Sequence, residues 1–169
     1  PAIVDTGAGP IYSTQLVDIN GDGVDELLVS NHEEDEFYNQ SAVFAYELPA
    51  NTADWYAAAP SLTRHTLASG FKVLNPDTGK AAPGFPLPYY PDLSDQTGRQ
   101  HIIVQGDDNG AVYVLSPTDE DFVYDRAELR LYGDRVGLPS MGDVDGDGFL
   151  EMFVPDYENN YVHAYTTKP

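Results

Sequence analysis

Cysteine is absent from the 169-residue chain, which excludes disulfides, zinc–thiolate sites and cysteine nucleophiles. Basic residues are scarce: 8 Lys and Arg stand against 28 Asp and Glu, for a formal charge of −20. Such a surface repels phosphate, so nucleic acid and anionic lipid are excluded as electrostatic partners. No apolar run approaches the roughly 18 residues that a membrane-spanning helix needs, and no signal-peptide pattern opens the chain. No segment shows a capped 3.6-residue period, so helices are not expected to build the fold. The chain opens on Pro1 and not on Met, which reads as a processed or partial polypeptide.

What is present is a core-forming apolar fraction of 41%, broken by 15 Gly and 13 Pro into short runs. That fraction argues against wholesale disorder and suits one domain. The runs repeat. Asp18-Ile19-Asn20-Gly21-Asp22-Gly23-Val24-Asp25-Glu26 precedes the apolar strand Leu27-Leu28-Val29, and Asp143-Val144-Asp145-Gly146-Asp147-Gly148-Phe149-Leu150-Glu151 precedes Met152-Phe153-Val154. Both copies then reach a second alternating strand, Val43–Tyr46 and Val162–Tyr165. A worn third copy, Asp92 to Gln100, precedes Ile102-Ile103-Val104, the turn Asp108-Asn109-Gly110 and the strand Val112–Leu115. From the ninth loop position to the Val that opens the second strand is 17 residues in the first copy, 12 in the middle one and 11 in the last. The first copy therefore carries an acidic insertion around Glu33 to Gln40, expected to be an exposed loop tip.

Leu62–Leu67 and Tyr124–Leu131 are expected to be outer strands, because Arg64, Arg126, Arg130 and nearby Arg135 mark solvent-facing edges. Pro76 to Pro91 holds five of the 13 prolines and reads as a connection. Ala2-Ile3-Val4 offers a strand-like start that can supply a missing outer strand.

The loop spacing places oxygen donors at positions 1, 3, 5 and 9: Asp18, Asn20, Asp22 and Glu26, and Asp143, Asp145, Asp147 and Glu151. Position 7, Val24 or Phe149, can add its backbone carbonyl, and Gly at position 6 allows a sharp turn around an ion. Hard oxygen donors in this number suit Ca²⁺ better than Mg²⁺, so two calcium sites are expected. An EF-hand reading fails: its loop needs Glu at position 12, where Val29 and Val154 stand here, and its flanks are helices. Two solvated acidic turns are the plain alternative, since Asp, Asn and Gly are ordinary turn formers.

These loops with their flanking strands resemble the FG-GAP/VCBS repeats of integrin-α-type β-propellers, most closely over residues 11–48 and 133–167. The resemblance implies an all-β fold, a β-propeller segment of about three blades within a larger propeller, for example a seven-bladed one. The whole chain, residues 1–169, then divides into repeat units at about 11–69, 70–132 and 133–169. In that family each repeat is one blade, and the loop between its first two strands holds calcium. The middle unit departs from the pattern, with Ser94, Gln96 and Gln100 where carboxylates or Asn are expected, and is not expected to bind metal. Asp77-Thr78-Gly79-Lys80 and Pro83-Gly84-Phe85-Pro86 also look like inter-strand connections of this family.

His101 aligns with Leu27 and Met152, and His163 with Phe44 and Tyr113, so both are expected to fill repeat positions. His32 and His65 have no partner spacing of a triad or zinc site. Tyr12, Trp55, Tyr56, Phe85, Tyr89, Tyr90 and Tyr157 are sugar platforms if exposed, although rings packed between blades are commoner in a propeller. Asn39-Gln40-Ser41 is the single N-glycosylation sequon and favours secretion. The expected function is a secreted, calcium-binding propeller acting as a binding or adhesion module for carbohydrate or protein, completed by blades from the same precursor or another chain. A sugar-processing, lyase-like enzyme on the same scaffold and a structural subunit of an extracellular assembly are the alternatives. No catalytic signature is found.

Overall fold

Alternating apolar residues bounded by Gly and Pro turns produce eleven strands in the computed structural model, which describes residues 3–55, 62–75, 80–133 and 135–169. Ala2, Tyr56 and Asp77 to Gly79 lie outside the described residues. The first sheet holds β1 (Ile11–Val17), β2 (Glu26–Asn31), β3 (Ala42–Tyr46) and β4 (Arg64–Ser69). The second holds β5 (Pro86–Tyr89), β6 (His101–Gln105), β7 (Ala111–Pro117) and β8 (Tyr124–Leu131). The third holds β9 (Ser140–Gly142), β10 (Glu151–Asp156) and β11 (Tyr161–Thr166). Within each sheet every strand pairs antiparallel with the next in sequence, so each sheet is an up-and-down meander. The protein is all-β, a propeller-like segment of three sheets that does not close into a ring.

The sheets stack face to face because their middle strands are apolar on both sides. Leu28, Val43 and Ala45 of the first sheet meet Ile102, Val104 and Leu115 of the second, with Phe71 between them. On its other face the second sheet presents Ile103 and Val112 to Met152 and Val154 of the third. The outward face of the first sheet, Val29, Phe44 and Tyr46, is covered by Val4 and Ala8. Asp5 fastens this cover by accepting hydrogen bonds from Tyr46 Oη (2.9 Å) and Arg64 Nη1 (2.8 Å). The outer strand β8 is exposed along almost its whole length and alternates Asp125, Arg126, Glu128 and Arg130. The outer strand β11, Tyr-Val-His-Ala-Tyr-Thr, is exposed at four of its six residues and carries no Asp, Glu, Lys or Arg.

The connections between the first two strands of the three sheets lie side by side at one end of the stack. Tyr124 Oη reaches Ile19 O of the first connection (3.4 Å) and Gln100 O of the second (3.3 Å). The amide of Leu93 in the second connection donates to Gly148 O in the third (2.8 Å).

Three expectations change. Within Pro76–Pro91, residues Pro86–Tyr89 are a strand, β5, and not connection alone. Gln105 N donates to Phe85 O, so alternation turns the nitrogens of Pro86 and Pro88 away from β6, and a sheet edge tolerates prolines there. Ile3 and Val4 form no strand; Val4 packs on the first sheet and does not extend another one. His101 is level with Glu26 and Glu151, not with Leu27 and Met152. It pairs with Tyr89 as Glu26 pairs with Val17 and Glu151 with Gly142. The cause is loop length: residues 90–100 number eleven, against eight for 18–25 and eight for 143–150. His163 does share its position with Phe44 and Tyr113, opposite Val154, Val29 and Val104 respectively.

Candidate metal centres

The acidic loops follow directly from β1 and β9, so the ladder fixes their first residues. In the first loop the amides of Gly21 (2.7 Å) and Asp22 (3.1 Å) donate to Asp18 Oδ1, and that of Gly23 donates to Asp18 Oδ2 (2.9 Å). The second loop repeats this: Gly146 (2.7 Å) and Asp147 (3.1 Å) donate to Asp143 Oδ1, and Gly148 donates to Asp143 Oδ2 (3.1 Å). The Asp22 amide also donates to Asn20 Oδ1 (2.9 Å), as the Asp147 amide does to Asp145 Oδ1 (3.1 Å). Val24 N donates to Asp22 Oδ1 (2.8 Å), and Phe149 N donates to Asp147 Oδ1 (2.9 Å). Each loop is closed from its ninth position: Ile19 N donates to Glu26 Oε2 (2.8 Å), and Val144 N to Glu151 Oε2 (2.9 Å). The chain wraps this tightly because positions 4 and 6 have φ of +80° and +87° in the first loop and +78° and +92° in the second, conformations that glycine adopts without steric cost.

This wrapping draws oxygens together. Asp143, Asp145 and Glu151 each offer a carboxylate oxygen within 4.8 Å of the others, the one such group of three found among the described residues. The first loop sets Asp18, Asn20 and Glu26 at the same positions, with an amide oxygen replacing the middle carboxylate. Position 5 differs between them. Asp22 Oδ2 accepts from Asn20 Nδ2 (3.1 Å), whereas Asp147 Oδ2 accepts from Lys168 Nζ (2.7 Å). The Lys168 ammonium holds the Asp147 carboxyl below its ordinary range. Lys168 carried no signal in the sequence, because its place depends on β11 running beside the loop. The middle connection spends its carboxylates locally: Asp92 Oδ1 accepts from Ser94 N (2.8 Å) and Oγ (2.6 Å), and Asp95 Oδ1 from Thr97 Oγ1 (2.6 Å).

Glu26 is 2% exposed. Burial pushes its carboxyl above the ordinary value, while the amides of Ile19 and Asn20 pull it back and Asp22 and Asp18 add to the rise. A carboxyl raised in the folded state costs stability once pH rises through its folded value. In EDTA at pH 7, Glu26→Gln is therefore expected to melt no lower than the parent, since Gln still accepts from Ile19. The difference should shrink as pH falls into the carboxyl range, where Glu26 itself is neutral. Differential scanning calorimetry at several pH values reads this directly, and a mutant that melts well below the parent at pH 7 refutes it.

The histidines do not converge. His65 Nε2 lies 2.5 Å from Glu47 Oε1 and its ring stacks on Phe122 at 3.8 Å, while His163 Nε2 lies 3.2 Å from Asp156 Oδ2. His32 Nε2 lies 3.3 Å from Asp107 Oδ2 under the ring of Tyr12 (4.3 Å). Tyr12 touches Phe85 in turn (5.1 Å), beside the buried Asp108 that accepts from Arg135 Nε (2.8 Å). This polar and aromatic cluster, at the end opposite the acidic loops, was not evident in the sequence because its members lie up to 123 residues apart (Tyr12 to Arg135). Tyr89 is buried between sheets, Trp55 Nε1 donates to Pro49 O (2.8 Å), Tyr90 Oη reaches Gly98 O (3.4 Å), and Tyr157 is exposed under the Arg135 guanidinium. Asn39 is exposed on the 3₁₀ turn Asp35–Gln40, whereas Ser41 is buried and its Oγ accepts from Phe71 N (2.7 Å).

Residues 11–46, which run from β1 through the first acidic loop to β3, match the model of the FG-GAP repeat. No curated protein and no solved structure matches the chain. No helix among the described residues is long and apolar enough to cross a membrane.

Proposed function

We propose that this β-propeller-type module is a secreted, calcium-stabilised binding or adhesion domain. Two loops, in sheets of their own, wrap side-chain oxygens at the same positions with the same backbone hydrogen bonds, and this observation carries the reading. Asp18, Asn20, Asp22 and Glu26 hold one Ca²⁺, and Asp143, Asp145, Asp147 and Glu151 the other, with the carbonyls of Val24 and Phe149 as further donors. The donor chemistry fits: every side-chain ligand is a hard oxygen, and calcium accepts 6–8 of them. The metal's role is structural, because protein oxygens fill the loop. Further blades, from the same precursor or another chain, extend the stack of sheets, and the exposed face of the third sheet supports this. The partner recognised by the completed module is a glycan or a protein, and Asn39, exposed on its turn, carries the sugar of a secreted protein.

Isothermal titration with CaCl₂ is expected to give a stoichiometry of two. Asp147→Ala should remove one site and spare the other, since the two loops share no ligand. A parent protein that takes up no calcium at millimolar concentration overturns the reading.

A further inference from the structure

The two acidic loops are alike in backbone, yet only one has a lysine on its position-5 carboxylate. The position of that lysine is built into the fold. Pairing of Glu151 with Thr166 carries β11 alongside the end of the loop, and Thr167 N donates to Leu150 O (2.9 Å). Leu150 N returns a hydrogen bond to Thr167 Oγ1 (2.9 Å), and Lys168 N donates to Thr166 Oγ1 (3.1 Å). From there Lys168 Nζ lies over the Phe149 ring, 5.9 Å from its centroid, and reaches Asp147 Oδ2 at 2.7 Å. Asp147 is then committed on both oxygens, Oδ1 to Phe149 N and Oδ2 to the ammonium. The convergent group of Asp143, Asp145 and Glu151 lacks Asp147. In the first loop a basic side chain also lies close, with Arg99 Cγ 3.7 Å from where a Gly21 Cβ would stand. Its guanidinium is turned aside, donating from Nη1 to Glu120 O (2.6 Å) with Asp121 3.9 Å away.

We infer that Lys168 is an internal competitor for the cation of the second loop, so that this loop binds calcium more weakly than its own carboxylates would allow. The inference rests on the calcium reading above. For Asp147 to turn toward an ion, the ammonium must leave it, and a dication and an ammonium sharing one carboxylate repel each other. An exposed ion pair alone is worth a factor of about 1.4 to five, and the repulsion between ammonium and dication adds to it, so the competition should amount to about threefold or more in affinity. When the second loop fills, Lys168 is released to solvent, and the chain beyond Thr166 loses one of its anchors. Occupancy of the second loop is thereby reported at the end of β11.

The test follows the two loops separately. Calcium is titrated into ¹⁵N-labelled protein while the amide resonances of Gly23 and Gly148 are monitored, in the parent, in Lys168→Met and in Lys168→Arg. Met keeps an unbranched stem without the charge, and Arg keeps the charge. In Lys168→Met the Gly148 midpoint should fall at least threefold with Gly23 unmoved, and in Lys168→Arg both should stay within about twofold of the parent. If both resonances respond but the Gly148 midpoint is the same in Lys168→Met, Lys168 is no competitor and the calcium reading survives. If neither resonance responds in any of the three proteins, the calcium reading itself falls, and this inference with it.

Discussion

Transfer of the protein from saturating CaCl₂ to EDTA is expected to lower its melting temperature by about 10 °C. Each ion that binds the folded loop and not the unfolded chain stabilises by about 2.7 kcal/mol at a hundredfold excess over Kd. Two such sites give about 5 kcal/mol, and about 2 °C or more per kcal/mol is typical at this size. Stripping the metal also leaves Asp143, Asp145 and Glu151 facing each other within 4.8 Å with no cation between them. Magnesium at the same concentration should recover only part of the loss, because it gives up its water reluctantly. Scanning calorimetry under the three conditions settles the matter, and superimposable EDTA and calcium traces would rule out metal-stabilised loops.

The second large effect concerns the junction of the first two sheets. Phe71 follows β4, is 0% exposed, and sits among Leu28, Val43, Ile102 and Leu115. Tyr113 meets its ring edge-on at 5.4 Å, and the Arg126 guanidinium covers it at 5.2 Å. Its amide is tied to Ser41 Oγ, so the backbone cannot easily slide to fill a void. Phe71→Ala is expected to cost about 3–5 kcal/mol, the range for emptying a large buried ring site. Phe71→Leu should recover more than half of that. Urea denaturation followed by circular dichroism measures both, and a loss below about 1 kcal/mol for Ala would show that the sheets are not held together around this ring.

Strand content was legible in the sequence wherever apolar alternation met Gly turns. Tyr124–Leu131 was read with the bounds that β8 has, and the apolar runs at Leu27, Ile102 and Met152 all lie within middle strands. β5 was not legible because Pro86 and Pro88 argue against a strand unless one knows that their nitrogens face away from β6. The His101 register failed for a related reason: counting from Asp92 presumes a loop of fixed length, and the middle loop is longer. The acidic loops were readable because their oxygen-bearing side chains are local, all within nine residues. Lys168 and the cluster of Tyr12, His32, Asp107 and Arg135 were not, because they meet only through the stacking of sheets, for which a linear pattern has no signature.

The contrast between the two outer strands β8 and β11 governs how the protein behaves at high concentration. Along β8, alternating Asp125, Arg126, Glu128 and Arg130 would have to find matching charges on any strand laid beside it, so this border deters self-recruitment. Along β11, Tyr161 and Val162 are 65% and 67% exposed and no formal charge interrupts the ladder from Tyr161 to Thr166. Unless another strand occupies that border, it is a template for intermolecular pairing. Aggregation of the protein during overexpression would start there, and a single lysine at Val162 is the economical gatekeeper for anyone preparing it in quantity.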